Sequence, residues 1–160
     1  MVLPFYLSIA TLLILLLFYI RKPLSFLQNS IIYMATVFIA TQYLTLIRME
    51  FHLIEKSSGH LDYVSFLLYR NLFIPAAAII FCNFYLRLES GQSKFGLFLA
   101  TTLMMIVADW LNTSFGILKY THWNMGLSGI VDALHLLIAL GVMKMTLNIP
   151  VQESQTDENI

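Results

Sequence analysis

Long apolar runs, each about twenty residues and separated by short polar breaks, set the pattern of this chain. The first covers residues 2–20 and stops at Arg21-Lys22. Four more follow at about 30–49, 63–86, 95–118 and 126–147. At about 1.5 Å of rise per residue, each run can cross a hydrocarbon layer about 30 Å thick. None shows the ten-residue alternation of a membrane barrel strand. Helices satisfy their own backbone hydrogen bonds where water is absent. The pattern predicts an all-α integral membrane bundle of about five transmembrane helices, forming one domain over residues 1–149.

Two segments need separate treatment. The first run has no basic residue before Arg21 and no Ala-x-Ala site after it. It therefore reads as an uncleaved spanning helix and not as a signal peptide. The third run carries Arg70-Asn71 and Pro75. A proline breaks a water-soluble helix, but bilayer helices accommodate it as a kink. The alternative for this run is a re-entrant or tilted helix. The connections at 21–29, 50–62, 87–94 and 119–125 are too short for a soluble domain. The tail at 150–160 is acidic, lacks aromatics and is expected to be disordered.

Composition agrees with this picture. Hydrophobic residues make up 59% of the chain and charged residues 11%, against about 25% charged in soluble domains. Mean hydropathy is +0.78. Nine basic residues balance nine acidic ones, which leaves no electrostatic footprint for nucleic acid. Cys82 is the only cysteine, so an internal disulfide and a multi-thiolate metal site are excluded.

The distribution of basic residues sets an orientation. With the N-terminus outside, Arg21, Lys22, Arg87, Lys94 and Lys144 fall at cytoplasmic ends, and Arg48, Lys56 and Lys119 at external ends. The bias favours an external N-terminus and a cytoplasmic C-terminus. Tyr19, Tyr63, Tyr85, Tyr120 and Trp123 fall near predicted helix ends, where amphipathic rings prefer the interface.

Ionisable residues within the runs are the candidate functional groups. Arg70, Asp109 and Asp132 all fall roughly 9–13 Å below the predicted external boundary by helical rise. A charge near the bilayer centre costs about 2.5–3.5 kcal/mol on insertion scales. Pairing Arg70 with Asp109 or Asp132 would offset much of that. Asp132 and His135 share a helix face, as do Asp109 and Asn112, because each pair is three residues apart. The expected polar intramembrane cluster is Arg70, Asp109, Asn112, Asp132 and His135. It extends into stripes containing Thr102 and Gly116 on the fourth helix and Ser128 and Ala139 on the fifth. Gln42 and Thr45 on the second helix are expected to face it. Gly129 and Ala133 give a small-xxx-small spacing that favours close helix approach.

The cluster supports two readings. It is either a buried network that fixes helix packing or a cavity with Arg70 as anion anchor and Asp132–His135 as a proton-exchanging pair. Packing needs no ligand and is preferred. The loop at 50–62 offers His52, Glu55, His60 and Asp62, but their spacing matches no compact metal motif. His122 beside Trp123 reads as interfacial. Nucleophile-elbow, phosphate-loop and dinucleotide glycine patterns are absent. No catalytic residue, metal or cofactor is therefore assigned.

The stretch DWLNTSFGILKYTHWNMG, residues 109–126, resembles small multi-pass membrane proteins of unknown function from spore-forming, Bacillus-type bacteria. They share an acidic–aromatic pair ahead of a Gly…Lys-Tyr…Trp connection. The resemblance implies a bacterial cytoplasmic membrane and transfers no activity. The expected function is a non-enzymatic accessory, sensory or assembly protein in contact with the lipid bilayer. Five short helices enclose little interior, which points to a second copy or another membrane protein as partner. The alternatives are a small transporter or channel using the Arg/Asp/His cluster, and a membrane enzyme acting on a lipid or isoprenoid head group.

Overall fold

The computed structural model describes residues 2–20, 23–49, 54–56, 60–120 and 123–148. The described residues are almost wholly helical: α1 (Val2–Tyr19), α2 (Phe26–Met49), α3 (His60–Leu68), α4 (Ile74–Arg87), α5 (Gly91–Ser114) and α6 (Met125–Leu147). Between α3 and α4 lies a π-helical turn, Tyr69–Phe73, so that 60–87 is one continuous helical run. Among the described residues, Asp62–Arg87, Gly91–Ser114 and Met125–Leu147 are long and apolar enough to cross a membrane, and Leu3–Tyr19 is a shorter apolar helix. The helix α2 is long enough but carries Gln28, Asn29, Thr36, Gln42 and Arg48.

Helix ends differ from the sequence pattern for identifiable reasons. The second helix starts at Phe26, not at 30, because Ser25 and Gln28 cap it reciprocally. Ser25 N–H donates to Gln28 Oε1 at 2.9 Å, and Gln28 N–H donates to Ser25 Oγ at 3.3 Å; this is a capping box. The fourth span ends at Ser114, not at 118. Gly116, with φ of 70°, turns the chain. Ile117 N–H bonds the Asn112 carbonyl at 2.9 Å and Gly116 N–H the Thr113 carbonyl at 3.0 Å. Those are the two bonds of a Schellman stop. The freed chain forms β2 (Leu118–Tyr120), antiparallel to β1 (Ile54–Lys56), with Glu55 opposite Lys119. The two connections expected on the external side are thus joined in one ribbon.

Proline sets the π-turn in the third helical run. An α-helix would satisfy the Asn71 carbonyl with the N–H of residue 75, which Pro75 lacks. The helix instead widens, and Ile74 N–H reaches back to the Tyr69 carbonyl. Tyr33 of α2 donates its hydroxyl to the Asn71 carbonyl at 2.7 Å. A π-turn of this kind commonly accompanies a functional site.

The helix α4 is central. Residues Ile74 to Ile79, Phe81, Cys82 and Asn83 are buried, and α4 packs on α1, α2, α5 and α6. Three consecutive alanines, Ala76–Ala78, permit close approach. Between α5 and α6, a Cβ added to Gly129 would stand 2.8 Å from Ile106 Cδ1. That places the expected small-residue contact at this pair.

The outward surface is apolar. Leu12, Phe38, Leu103, Trp110, Ile130 and Met145 are exposed, while Asn83, Asn112, Asp132 and His135 are buried. Exposed hydroxyls turn back onto their own helix: Ser8 donates to the Pro4 carbonyl and Thr11 to that of Leu7, both at 2.9 Å. Such back-bonding satisfies a hydroxyl without water.

Candidate functional site

Two polar centres lie inside the bundle, one toward each end. They differ in whether their polar atoms find partners.

The centre away from the ribbon is fully paired through amides. Asn29 Nδ2 donates to the carbonyls of Leu24 and Ser25, each at 2.9 Å. Its Oδ1 accepts from Asn83 Nδ2 at 2.7 Å, and Asn83 Nδ2 also donates to the Ile79 carbonyl at 2.8 Å. Leu24 N–H donates to Asn83 Oδ1 at 3.4 Å. Gln28 Nε2 reaches the Thr146 carbonyl at 3.2 Å. All three amide side chains are buried. These bonds pin the α1–α2 turn to α4 and α6. The sequence reading missed this centre, because its members are uncharged and Gln28 and Asn29 precede the expected helix start. The available signal was Asn83, a lone amide within an apolar run.

The centre nearer the ribbon gathers most of the expected cluster. Asp109 and Asn112 point inward from α5, and Asp132 and His135 from α6. Tyrosines from two further elements complete it. Tyr6 of α1 donates to Asn112 Oδ1 at 2.7 Å, and Tyr69 of the π-turn donates to Asp109 Oδ1. Asn112 Nδ2 returns to the Ala108 carbonyl at 2.9 Å. Asp109 lies within electrostatic reach of Tyr6, Asp132 and His135.

Aromatic rings cover His135. Tyr43 of α2 meets its ring edge-on at 5.7 Å, and Trp123 meets Tyr43 at 6.2 Å. Trp123 Nε1 donates to Ser128 Oγ at 3.0 Å, and Asn124 caps α6 by accepting Leu127 N–H at 2.8 Å. The stripe Ser128, Asp132, His135 and Ala139 is buried as expected. Gln42 and Thr45 are exposed; α2 turns Ile32, Thr36 and Ala40 inward instead.

Arg70 is not brought to the carboxylates. Its Nε donates to Asn71 Oδ1 at 3.0 Å, and its guanidinium lies over the Phe66 ring at 5.7 Å. The adjacent Tyr69 occupies the inward direction and supplies the donor to Asp109. Successive helical residues diverge by about 100°, so only one of the two can face α5. Of the loop residues, His52 lies outside the described residues, as do His122, Arg21, Lys22 and the tail from 149. Among the described residues, no three His, Cys, Asp or Glu side chains are placed to share a metal ion.

Among the described residues, two buried atoms of this centre have no hydrogen-bond partner: Asp132 Oδ2 and His135 Nε2. Their residues are 5% and 6% exposed. An apolar cavity of about 160 Å³ borders the two tyrosines, lined by Tyr6, Tyr69, Phe5, Phe73, Val107 and Leu111 among others. A larger groove of about 360 Å³ runs between α1 and α2 past Leu17, Tyr33 and Ile79. No protein-family model, curated protein or solved structure matches the chain.

Proposed function

We propose that this chain is a five-span integral protein of a bacterial cytoplasmic membrane, acting without catalysis as an accessory, sensory or assembly component. One observation carries the reading: the polarity of the fold is inverted. Large apolar side chains such as Leu12, Phe38 and Leu103 point outward, while Gln28, Asn29, Asn83, Asp109, Asn112 and Asp132 are buried. In water such a surface would drive aggregation. In lipid it is the stable arrangement, because polar side chains bonding across helices hold a bundle that the hydrophobic effect cannot.

The N-terminus is assigned outside and the C-terminus to the cytoplasm. The ribbon joins the connection after α2 to the connection after α5, as an up-and-down bundle requires, and the basic residues choose between its two orientations. At the opposite end Arg87 lies over Phe84 and Lys94 over Tyr85, and Lys144 is exposed nearby in the last turn of α6. Basic residues of this kind favour the cytoplasmic side. The partner implied by the small interior is a second copy or another membrane protein, meeting the exposed apolar faces within the bilayer.

Alkaline extraction tests membrane integration, and impermeant thiol labelling of cysteines placed at Lys119 and Gln92 in a Cys82→Ser background tests orientation. The expected result is a protein that stays in the membrane pellet and labels from outside at 119 only. Release into the alkaline supernatant contradicts integration, and labelling at 92 from outside contradicts the orientation.

A further inference from the structure

A helix that contains a π-turn holds one residue more than an α-helix following the same course. The turn at Tyr69–Phe73 shows this directly. Ile74 N–H bonds the Tyr69 carbonyl, where an α-helix would use the carbonyl of Arg70. Relative to α4, Tyr69 therefore stands in the angular position that Arg70 would take in an unbroken α-helix. That position faces α5, and Tyr69 uses it to donate its hydroxyl to Asp109 Oδ1. Arg70, one position on, is turned aside onto Asn71 Oδ1 and the Phe66 ring.

We propose that the π-turn is a register switch: its relaxation to an α-helix turns α3 by about 100° and exchanges Tyr69 for Arg70 against Asp109. Both side chains suit that acceptor. The phenol offers one neutral donor, and the guanidinium offers a planar fork of donors with the opposite charge. The backbone around the proline does not choose between the registers. Ile74 N–H makes one bond in either, and Pro75 has no N–H to give in either. The apolar face of α3 tolerates both phases, because Phe66, Leu67 and Leu68 are consecutive. Ser65 and Phe66 are buried in the observed register, and a shift of one position replaces them with Phe66 and Leu67. The outward pair Tyr63 and Val64 gives way to Val64 and Ser65. The helix α4 need not move, since its buried stretch and the Asn83 bond to Asn29 lie beyond the turn. The observed register is held by the Tyr69 bond to Asp109 and by the Tyr69 ring stacked on Phe73 at 5.5 Å.

The switch gives the sensory reading a moving part and rests on that reading's membrane bundle, but it has its own readout. Carbon–nitrogen recoupling NMR of the full chain in lipid bilayers reports the approach of the Arg70 guanidinium to the Asp109 carboxyl, with Arg70→Gln identifying the signal. In the wild type the contact is expected only as a minor population. Tyr69→Phe removes the competing hydroxyl and keeps the ring, and is expected to raise that contact several-fold. Relaxation dispersion of the wild-type amides needs no variant to fold. It is expected to show exchange across residues 60–73 and none across 76–87. A Tyr69→Phe protein with intact helices whose Arg70 stays off Asp109 overturns the proposal. So does wild-type dispersion that is flat through α3 or spread equally over α4. Alkaline extraction of the same protein separately reports whether the membrane reading itself has failed.

Discussion

Replacing Tyr33 with Phe removes one hydroxyl and leaves the ring in place. The hydroxyl donates to the Asn71 carbonyl at 2.7 Å, and Pro75 withholds the N–H that an unbroken helix would supply to that carbonyl. Interhelical hydrogen bonds in membranes average about 0.6 kcal/mol, with a maximum near 1.7, because freed groups usually find new partners. The Asn71 carbonyl has no backbone N–H at position 75 to turn to. An unsatisfied buried acceptor adds about 1–3 kcal/mol, so Tyr33→Phe is expected to cost about 1–2 kcal/mol, in the upper part of the membrane range. In a Pro75→Ala background the N–H returns, and the same substitution is expected to cost about 0.6 kcal/mol or less. Reversible unfolding in mixed micelles of the wild type, both single variants and the double variant gives the coupling directly. Equal costs in the two backgrounds would refute the assigned exchange of a backbone donor for a tyrosine.

Four further substitutions probe the packing, all measurable by the same unfolding assay. Asn83→Ala strips Asn29 Oδ1 and the Leu24 N–H of their shared partner, with an expected loss of about 2–3 kcal/mol; a loss below about 0.5 kcal/mol contradicts the clasp. Gly129→Leu forces a side chain into Ile106, whose Cδ1 stands 2.8 Å from an added Cβ; about 1–3 kcal/mol is expected, largely recovered by adding Ile106→Ala. Ser25→Ala and Gln28→Ala should each cost about 1 kcal/mol. Because the two caps are reciprocal, the double variant is expected to cost less than the sum, and full additivity speaks against the box.

The helices were legible because a long apolar run is visible in sequence, and three of them are long and apolar enough to cross a membrane. The pairs Asp109–Asn112 and Asp132–His135 were legible for a similar reason: a spacing of three fixes a shared face whatever the neighbours do. Arg70 was misplaced because the π-turn at Tyr69–Phe73 shifts the helical phase, and which of Tyr69 and Arg70 turns inward is decided by packing on α5. Tyr6, Tyr43 and Tyr69 were overlooked because a tyrosine within an apolar run looks like core or interface until its hydroxyl partner is known. The misplaced starts and stops had local causes. Ser25-x-x-Gln28 is a readable cap, but it lies inside the polar break at 21–29. Gly116 was read as part of an inward stripe, whereas its positive φ ends the helix.

The inverted polarity of the fold is tested most directly by spin labels placed, in a Cys82→Ser background, on Leu12, Phe38, Leu103 and Ile130 of the reconstituted protein. All four side chains are exposed, on α1, α2, α5 and α6 respectively. Collisions with oxygen, which concentrates in lipid, should exceed collisions with a water-soluble relaxing agent at every one of these positions. Dominant contact with the aqueous agent around these helices would contradict the placement of their outward faces in the bilayer.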